Sequence, residues 1–411
     1  MGRPVRYTSV TFQTRGQRRS PLHATSDGPP SPVLRLLFLV LLCSTGALAQ
    51  RGPEPPITVL SADGGLRATL GGTLHTDARW RSGGEETEAP TAEAFQLRRA
   101  RLEVGVEAGE AVRVVVKPGF GKGKAQLVDG WAEAAVGRGV RIRAGRFKAP
   151  FGLESLRSSS ALWFAERAFP TALSPRRDLG AMVHGSWSDG RLAAAVGVFN
   201  GVPDGGSESG EPSDAKDAVA RVTAEPVPGV RLGLAGAVGA ERGSPDAPAL
   251  ADYETSADAP IFRYAPGVVA DGARQRVGPQ LEAEAGRFGL MAETTWARHR
   301  VRGTDGSEPL THHAWQVAAS AVLLGPGGPV SGPRTGTVEA SARLHGLRLD
   351  PNAAAFAHDE AAALRATGWA LAVHASPTAA VRLGGTVERT TFPDTETPAE
   401  TFVVFRIGVG F

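Results

Sequence analysis

Arginine carries most of the chemistry that this chain offers. Of 45 basic residues only five are lysine, and four of those, Lys117, Lys122, Lys124 and Lys148, fall within one short window. A guanidinium fork grips phosphate oxygens in pairs, whereas an ammonium acts as a mobile point charge. Arg99 and Arg101 stand before the window and Arg141 and Arg143 within it, each pair two residues apart. On a strand that spacing puts both cations on one face and apolar neighbours on the other. Rings of such cations favour anions by lowering the electrostatic barrier to pore entry. Arg146, Arg157, Arg167, Arg176 and Arg177, with the four lysines, suit a pore mouth or a segment folded into it. Asp129, Glu133, Glu154 and Glu166 are positioned to compensate some of this charge locally.

Other chemistry is thin. Cys43 is the only cysteine, so no intrachain disulfide forms, and no Cys/His spacing resembles a metal site. His312 and His313 are adjacent and point to opposite faces of a strand, while His184, His299, His345 and His374 stand apart. The glycine-lysine run 119–124 lacks the strand–loop–helix setting of a phosphate-cradling loop and reads as a hairpin turn. Ser158-Ser159-Ser160 lacks a nucleophile elbow. Neither an enzyme nor a bound cofactor is expected.

The elements that must position the cations alternate with period two. From Arg99, one face reads Arg99, Arg101, Glu103, Gly105 and the other Ala100, Leu102, Val104, Val106. Similar runs recur over 231–240, 281–297, 314–324, 337–348, 368–375 and 379–390, cut by Gly, Pro and Asp clusters. A soluble sandwich rarely needs so long a succession of strands. At about 22 residues per strand and connection, a membrane barrel of roughly 16 strands accounts for it. The chain stops at Phe402 to Phe411, where Val403, Phe405, Ile407, Val409 and Phe411 share one face. An apolar final strand suits closure against the first strand in lipid, where no edge stays unpaired. Phe411 is the expected assembly signal. Only 6% of residues are aromatic, a thin supply for the interfacial girdles of such a barrel.

Residues 33–42 are an apolar run preceded by arginines and followed by the small-x-small site Ala47-Leu48-Ala49. They read as a signal peptide over 1–49, cleaved between Ala49 and Gln50. The polar stretch 1–32 reads as an extension of it, disordered or spurious. Residues 50–65 read as a linker and 66–411 as the barrel. The mature chain keeps 39 cations against 41 carboxylates, a net charge of about −2, which removes the case for a nucleic-acid partner.

Five short motifs in one order carry a family resemblance. They are Arg98-Arg99-Ala100-Arg101-Leu102, Gly145-Arg146-Phe147-Lys148-Ala149-Pro150-Phe151-Gly152-Leu153-Glu154, Phe164-Ala165-Glu166-Arg167, Arg177-Asp178-Leu179-Gly180 and Gly197-Val198-Phe199-Asn200-Gly201. The chain resembles the phosphate-selective porin O/P family of Gram-negative outer membranes, with Arg146 in place of the usual Gln. The resemblance is specific over about 95–201. It implies a 16-stranded barrel with a loop folded into the lumen, usually a homotrimer, whose selective members conduct phosphate or similar anions past arginines and lysines. The expected partners are small anions, outer-membrane lipid and lipopolysaccharide, and the barrel assembly machinery. The expected location is the outer membrane. A general or weakly cation-preferring pore, or a structural barrel without selective transport, is the alternative.

Overall fold

The computed structural model describes residues 57–84, 93–207, 215–304, 306–327 and 332–411. The expected signal segment 1–49 and its cleavage site at Ala49 and Gln50 lie outside the described residues.

Sixteen antiparallel strands close into one barrel. The first five are β1 (Leu66–Ser82), β2 (Glu93–Ala108), β3 (Val112–Gly119), β4 (Gln126–Gly137) and β5 (Val140–Lys148). They are followed by β6 (Arg177–Trp187), β7 (Leu192–Phe199), β8 (Asp217–Val227), β9 (Val230–Arg242), β10 (Val269–Ala285) and β11 (Phe288–Gly303). The last are β12 (Gly306–Leu324), β13 (Thr337–Arg348), β14 (Arg365–Ser376), β15 (Val381–Thr391) and β16 (Glu400–Gly410). Neighbours in sequence are neighbours in the sheet, and β16 closes on β1 from Thr401 opposite Ser82 to Gly410 opposite Thr73. Where β16 ends, a short strand Ile57–Leu60, within the stretch read as a linker, takes over the same edge of β1. No edge of β1 is left open there.

The barrel is inside-out relative to a soluble protein. Leu102, Val104, Val106, Val112, Val114, Val116 and Ile142 are exposed on the outer wall, while Asp77, Arg79, Asp129, Glu133 and Arg406 are buried on the inner one. Lipid enforces this, since an arginine on the lipid face costs about 2–4 kcal/mol at the bilayer midplane. One end carries short turns, all but one of two to four residues, and the other carries the long connections.

The longest of these, residues 149–176 between β5 and β6, folds into the lumen as a plug. Its apolar side, Leu153, Trp163 and Phe164, packs on the inner wall of β11, β12 and β14. That wall presents small side chains there, Ala318, Ala370 and Ala372, which make room for two large rings. Open space is thereby displaced to the opposite wall, β2 to β6. At the long-loop end, Phe169 and Leu173 of the plug join Tyr253, Phe262 and Phe356 in an apolar cap.

Two backbone features set the register of the arginine-bearing wall. Gly145 adopts φ +127°, and a Cβ there would meet the Gly130 carbonyl oxygen at 2.3 Å, so the close approach of β4 and β5 requires glycine. Between β1 and β2, His75 pairs with Arg99 and Thr76 with Leu97, which leaves Arg98 as the extra residue of a β-bulge. A bulge re-aims side chains locally. Arg98 and Arg99 thus both reach the lumen, although strict alternation would send one of them to lipid.

Candidate functional site

The space beside the plug is a cavity of about 1100 Å³. Eleven arginines and lysines line it, against two carboxylates, Glu110 and Asp129. A cavity of about 530 Å³ continues it and shares Thr73, Arg101, Lys117 and Ser159 as wall. A smaller one, about 220 Å³, lies among Asp252, Ser256 and Asp258 of the long loops and shares Arg99, Arg167 and Arg176 with the first. Those three arginines stand where the long-loop vestibule meets the lumen.

The expected cations separate into compensated and uncompensated groups. Arg143 sits over the Trp131 ring, 3.9 Å from its centroid, and donates through Nε to Glu133 at 2.8 Å. Arg141 donates to the other Glu133 oxygen at 3.3 Å, and His184 Nε2 lies 2.7 Å from the same carboxylate. Arg177 grips Asp129 with two nitrogens, at 2.8 and 3.3 Å, and Lys117 pairs with Glu103. Arg157 pairs with Glu282. Arg146 has the outward parity of Ile142 and Ala144, and its Nη1 reaches the carbonyls of Leu127 and Val128. Lys122 and Lys124 fall in the turn between β3 and β4.

Five of the expected lumen cations lack this compensation. Among the described residues, Arg99, Arg101, Lys148, Arg167 and Arg176 have no carboxylate within ion-pair distance. Lys148 Nζ instead donates to the carbonyls of Leu156 and Arg157, at 3.1 and 2.7 Å. Arg167 donates to the carbonyls of Glu154 and Arg157, at 3.1 and 2.9 Å. Arg99 reaches only His75 Nδ1, at 3.4 Å. Burial, and after it the charges of Arg167 and Arg177, lower Arg176 to about 9. A guanidinium keeps its proton under all ordinary conditions, so this depression marks a charge held out of water and among like charges.

The plug is held by the far wall. Arg382 Nη1 donates to the carbonyls of Ser160 and Leu162 at 3.0 and 2.8 Å, Arg343 to that of Glu166 at 3.0 Å, and Arg406 to that of Ala165 at 2.5 Å. Arg98 holds the Glu166 carboxylate, and Glu154 accepts from Ala168 N–H and Gln316. Burial alone would raise the Glu166 carboxyl, but Arg98, with Arg406 and Arg99 behind it, keeps it well below the ordinary carboxylate range. Of the acidic residues suspected of compensating the expected cations, Asp129 and Glu133 do so, whereas Glu154 and Glu166 pair with other arginines. Their partners across the barrel, Arg343 and Arg406, and the bulged Arg98 were not anticipated as site residues.

The histidines are also less isolated than their spacing suggests. Tyr264 Oη lies 3.0 Å from His299 Nε2 and 3.1 Å from His312 Nε2. His312 Nδ1 accepts the Asp350 N–H at 3.0 Å, so its proton sits on Nε2 and goes to Tyr264, which then donates to His299. The chain of bonds ties two long loops to β11 and β12. Phe411 exchanges two backbone hydrogen bonds with Gly72 of β1, at 2.9 and 3.2 Å. No group of metal-ligating side chains gathers among the described residues.

A family model described as phosphate-selective porin O and P matches residues 69–305. No curated protein matches by sequence at a significant level. Among solved structures, the outer membrane channel DcaP of Acinetobacter baumannii is similar at 11% identity over 86% of this chain and 99% of that one, with a TM-score of 0.56. An anion-selective porin from Comamonas acidovorans is similar at 11% identity over 84% and 100%, with a TM-score of 0.51. The trimer form of OmpT from Vibrio cholerae is similar at 10% identity over 84% and 99%, with a TM-score of 0.50.

Proposed function

The chain belongs to the phosphate-selective porin O and P family and is an outer-membrane channel barrel, and from that premise we propose that it passes small anions, phosphate and related oxyanions among them. The observation that carries this reading is the uncompensated set Arg99, Arg101, Lys148, Arg167 and Arg176 around the narrowing beside the plug. An anion entering there supplies the charge that these groups lack. Arginine forks hold a phosphate by two oxygens, so phosphate lingers where chloride passes. Arg141, Arg143 and Arg177 belong to the same wall but are screened by their own carboxylates.

We place the long loops outside the cell and the short turns in the periplasm, the usual arrangement of such barrels. The family and the trimeric form of the Vibrio neighbour support a homotrimer. Export through a signal cleaved near Ala49 and insertion by the barrel assembly machinery through Phe411 complete the proposal, as does the absence of catalysis.

The deciding measurement is the reversal potential of refolded protein in a planar bilayer under a salt gradient. We expect chloride to be preferred over potassium and millimolar phosphate to reduce chloride current. A preference for potassium would overturn the anion reading. Anion preference without phosphate block would leave a general anion porin.

A further inference from the structure

The outer wall carries a patch that permeation does not use. Arg298, Arg300 and Arg302 of β11 alternate with the buried His299 and Val301, so all three face outward near the long-loop end. Two strands on, Arg348 ends β13 directly opposite Arg365, the first residue of β14. Arg302 lies 3.7 Å from Asp271. Among the described residues, Arg298, Arg300, Arg348 and Arg365 have no carboxylate within ion-pair distance, and all four are exposed. Two carboxylates of the adjoining loops are otherwise engaged: Asp350 accepts from the N–H groups of Thr311 and Asn352, and Asp394 from that of Leu364.

Like charges directly opposite on adjacent strands oppose sheet formation, and arginine is disfavoured on a lipid-facing wall. Aromatic rings fix the depth at which this occurs. His313, the register partner of Arg348, stacks on Trp296 with centroids 4.8 Å apart. Trp296 and Trp369 are 39% and 40% exposed on the same wall, and Trp315 lies between their strands. Indoles mark the level of the lipid headgroups. The four arginines therefore lie at the headgroup level of the outer leaflet, crowded and unneutralised.

We infer that Arg298, Arg300, Arg348 and Arg365 dock the phosphorylated headgroup of an outer-leaflet lipid. A headgroup with two phosphates bridges β11 to β14, supplies the missing charge, and presents oxygens that guanidinium forks take in pairs. Its acyl chains then run down past the tryptophans.

The test compares wild type with a variant carrying Arg298→Gln, Arg300→Gln, Arg348→Gln and Arg365→Gln, both purified from outer membranes in mild detergent. Phosphorus assay and native mass spectrometry read the lipid retained. Wild type should keep a phosphorylated lipid, and the variant several-fold less, with unchanged single-channel conductance. Equal retention, or folded wild type free of phosphorylated lipid, would overturn the inference, and the second result needs no variant. Wild type refolded in zwitterionic vesicles should gain thermal stability from added bisphosphorylated lipid but not from millimolar inorganic phosphate. Equal gain from phosphate alone would point to a free-anion site and overturn the lipid assignment. A variant that keeps its lipid but loses its oligomeric state would make the patch a contact with a second copy, which also overturns it.

Discussion

Arg98 and Glu166 meet fork to fork, with Nε and Nη2 each 2.8 Å from a different carboxylate oxygen. The pair joins the bulge of β2 to the plug, and Arg406 of β16 reaches the same carboxylate at 3.1 Å. One glutamate thus fixes the plug to both sides of the barrel seam.

Replacing Glu166 by Ala should free the plug at this point and leave two arginines facing each other. Loss of one partner from such a desolvated pair costs about 3 kcal/mol. The expected readouts are a lower temperature for loss of the heat-modifiable form and noisier channel current. Steady current at wild-type stability would remove Glu166 from its anchoring role.

The acid side of the pH profile follows from the same residue. Its carboxyl titrates well below the ordinary range in the folded chain, so its contribution is complete above the unfolded value near 4.3. That contribution is lost only as pH falls through the depressed value. Plug noise should therefore stay constant from pH 7 to about pH 5. An opening transition between these values would contradict it.

Arg167 and Arg176 changed together to Gln should weaken anion preference, most in dilute electrolyte, since screening shortens the reach of charge to about 10 Å at 0.1 M salt. Glu133→Gln should do the opposite, because it releases Arg141 and Arg143 from their shared partner. Reversal potentials that move in the same direction for the two variants would refute the division into compensated and free cations.

Tyr264→Phe removes the hydroxyl between His299 and His312 and leaves buried ring nitrogens without partners, at a cost of about 1–3 kcal/mol. The loop over residues 243–268 should become the first site of proteolysis. Cleavage at the wild-type rate would show that the apolar cap alone holds it.

Deleting Phe411 removes two hydrogen bonds from the seam at Gly72. Folded barrel recovered from outer membranes should fall sharply. An unchanged yield would count against a role in closure.

The barrel was legible because lipid imposes a rule on each residue separately. Ile142 between Arg141 and Arg143, and Ile407 beside Arg406, declare their faces without reference to any other strand. What depends on a partner was not legible. The bulge at Arg98 exists only in the register of β2 against β1. The suspicion that Glu133 neutralises nearby cations was sound, but which ones follows from its position directly opposite Arg143. Tyr264 comes from a loop, so nothing in the spacing of His299 and His312 announces the bond that joins them.

The far-wall grip on the plug also dictates an order of assembly. Arg343, Arg382 and Arg406 lie 177 to 241 residues beyond the carbonyls they hold. Until β13, β15 and β16 join the same barrel as β5 and β6, the plug has nothing to close upon. Narrowing is thus a late folding event that waits for the last strand. A barrel arrested before closure would be a wide, ungated hole, and the envelope would be safe from it only if arrested chains are destroyed faster than they accumulate.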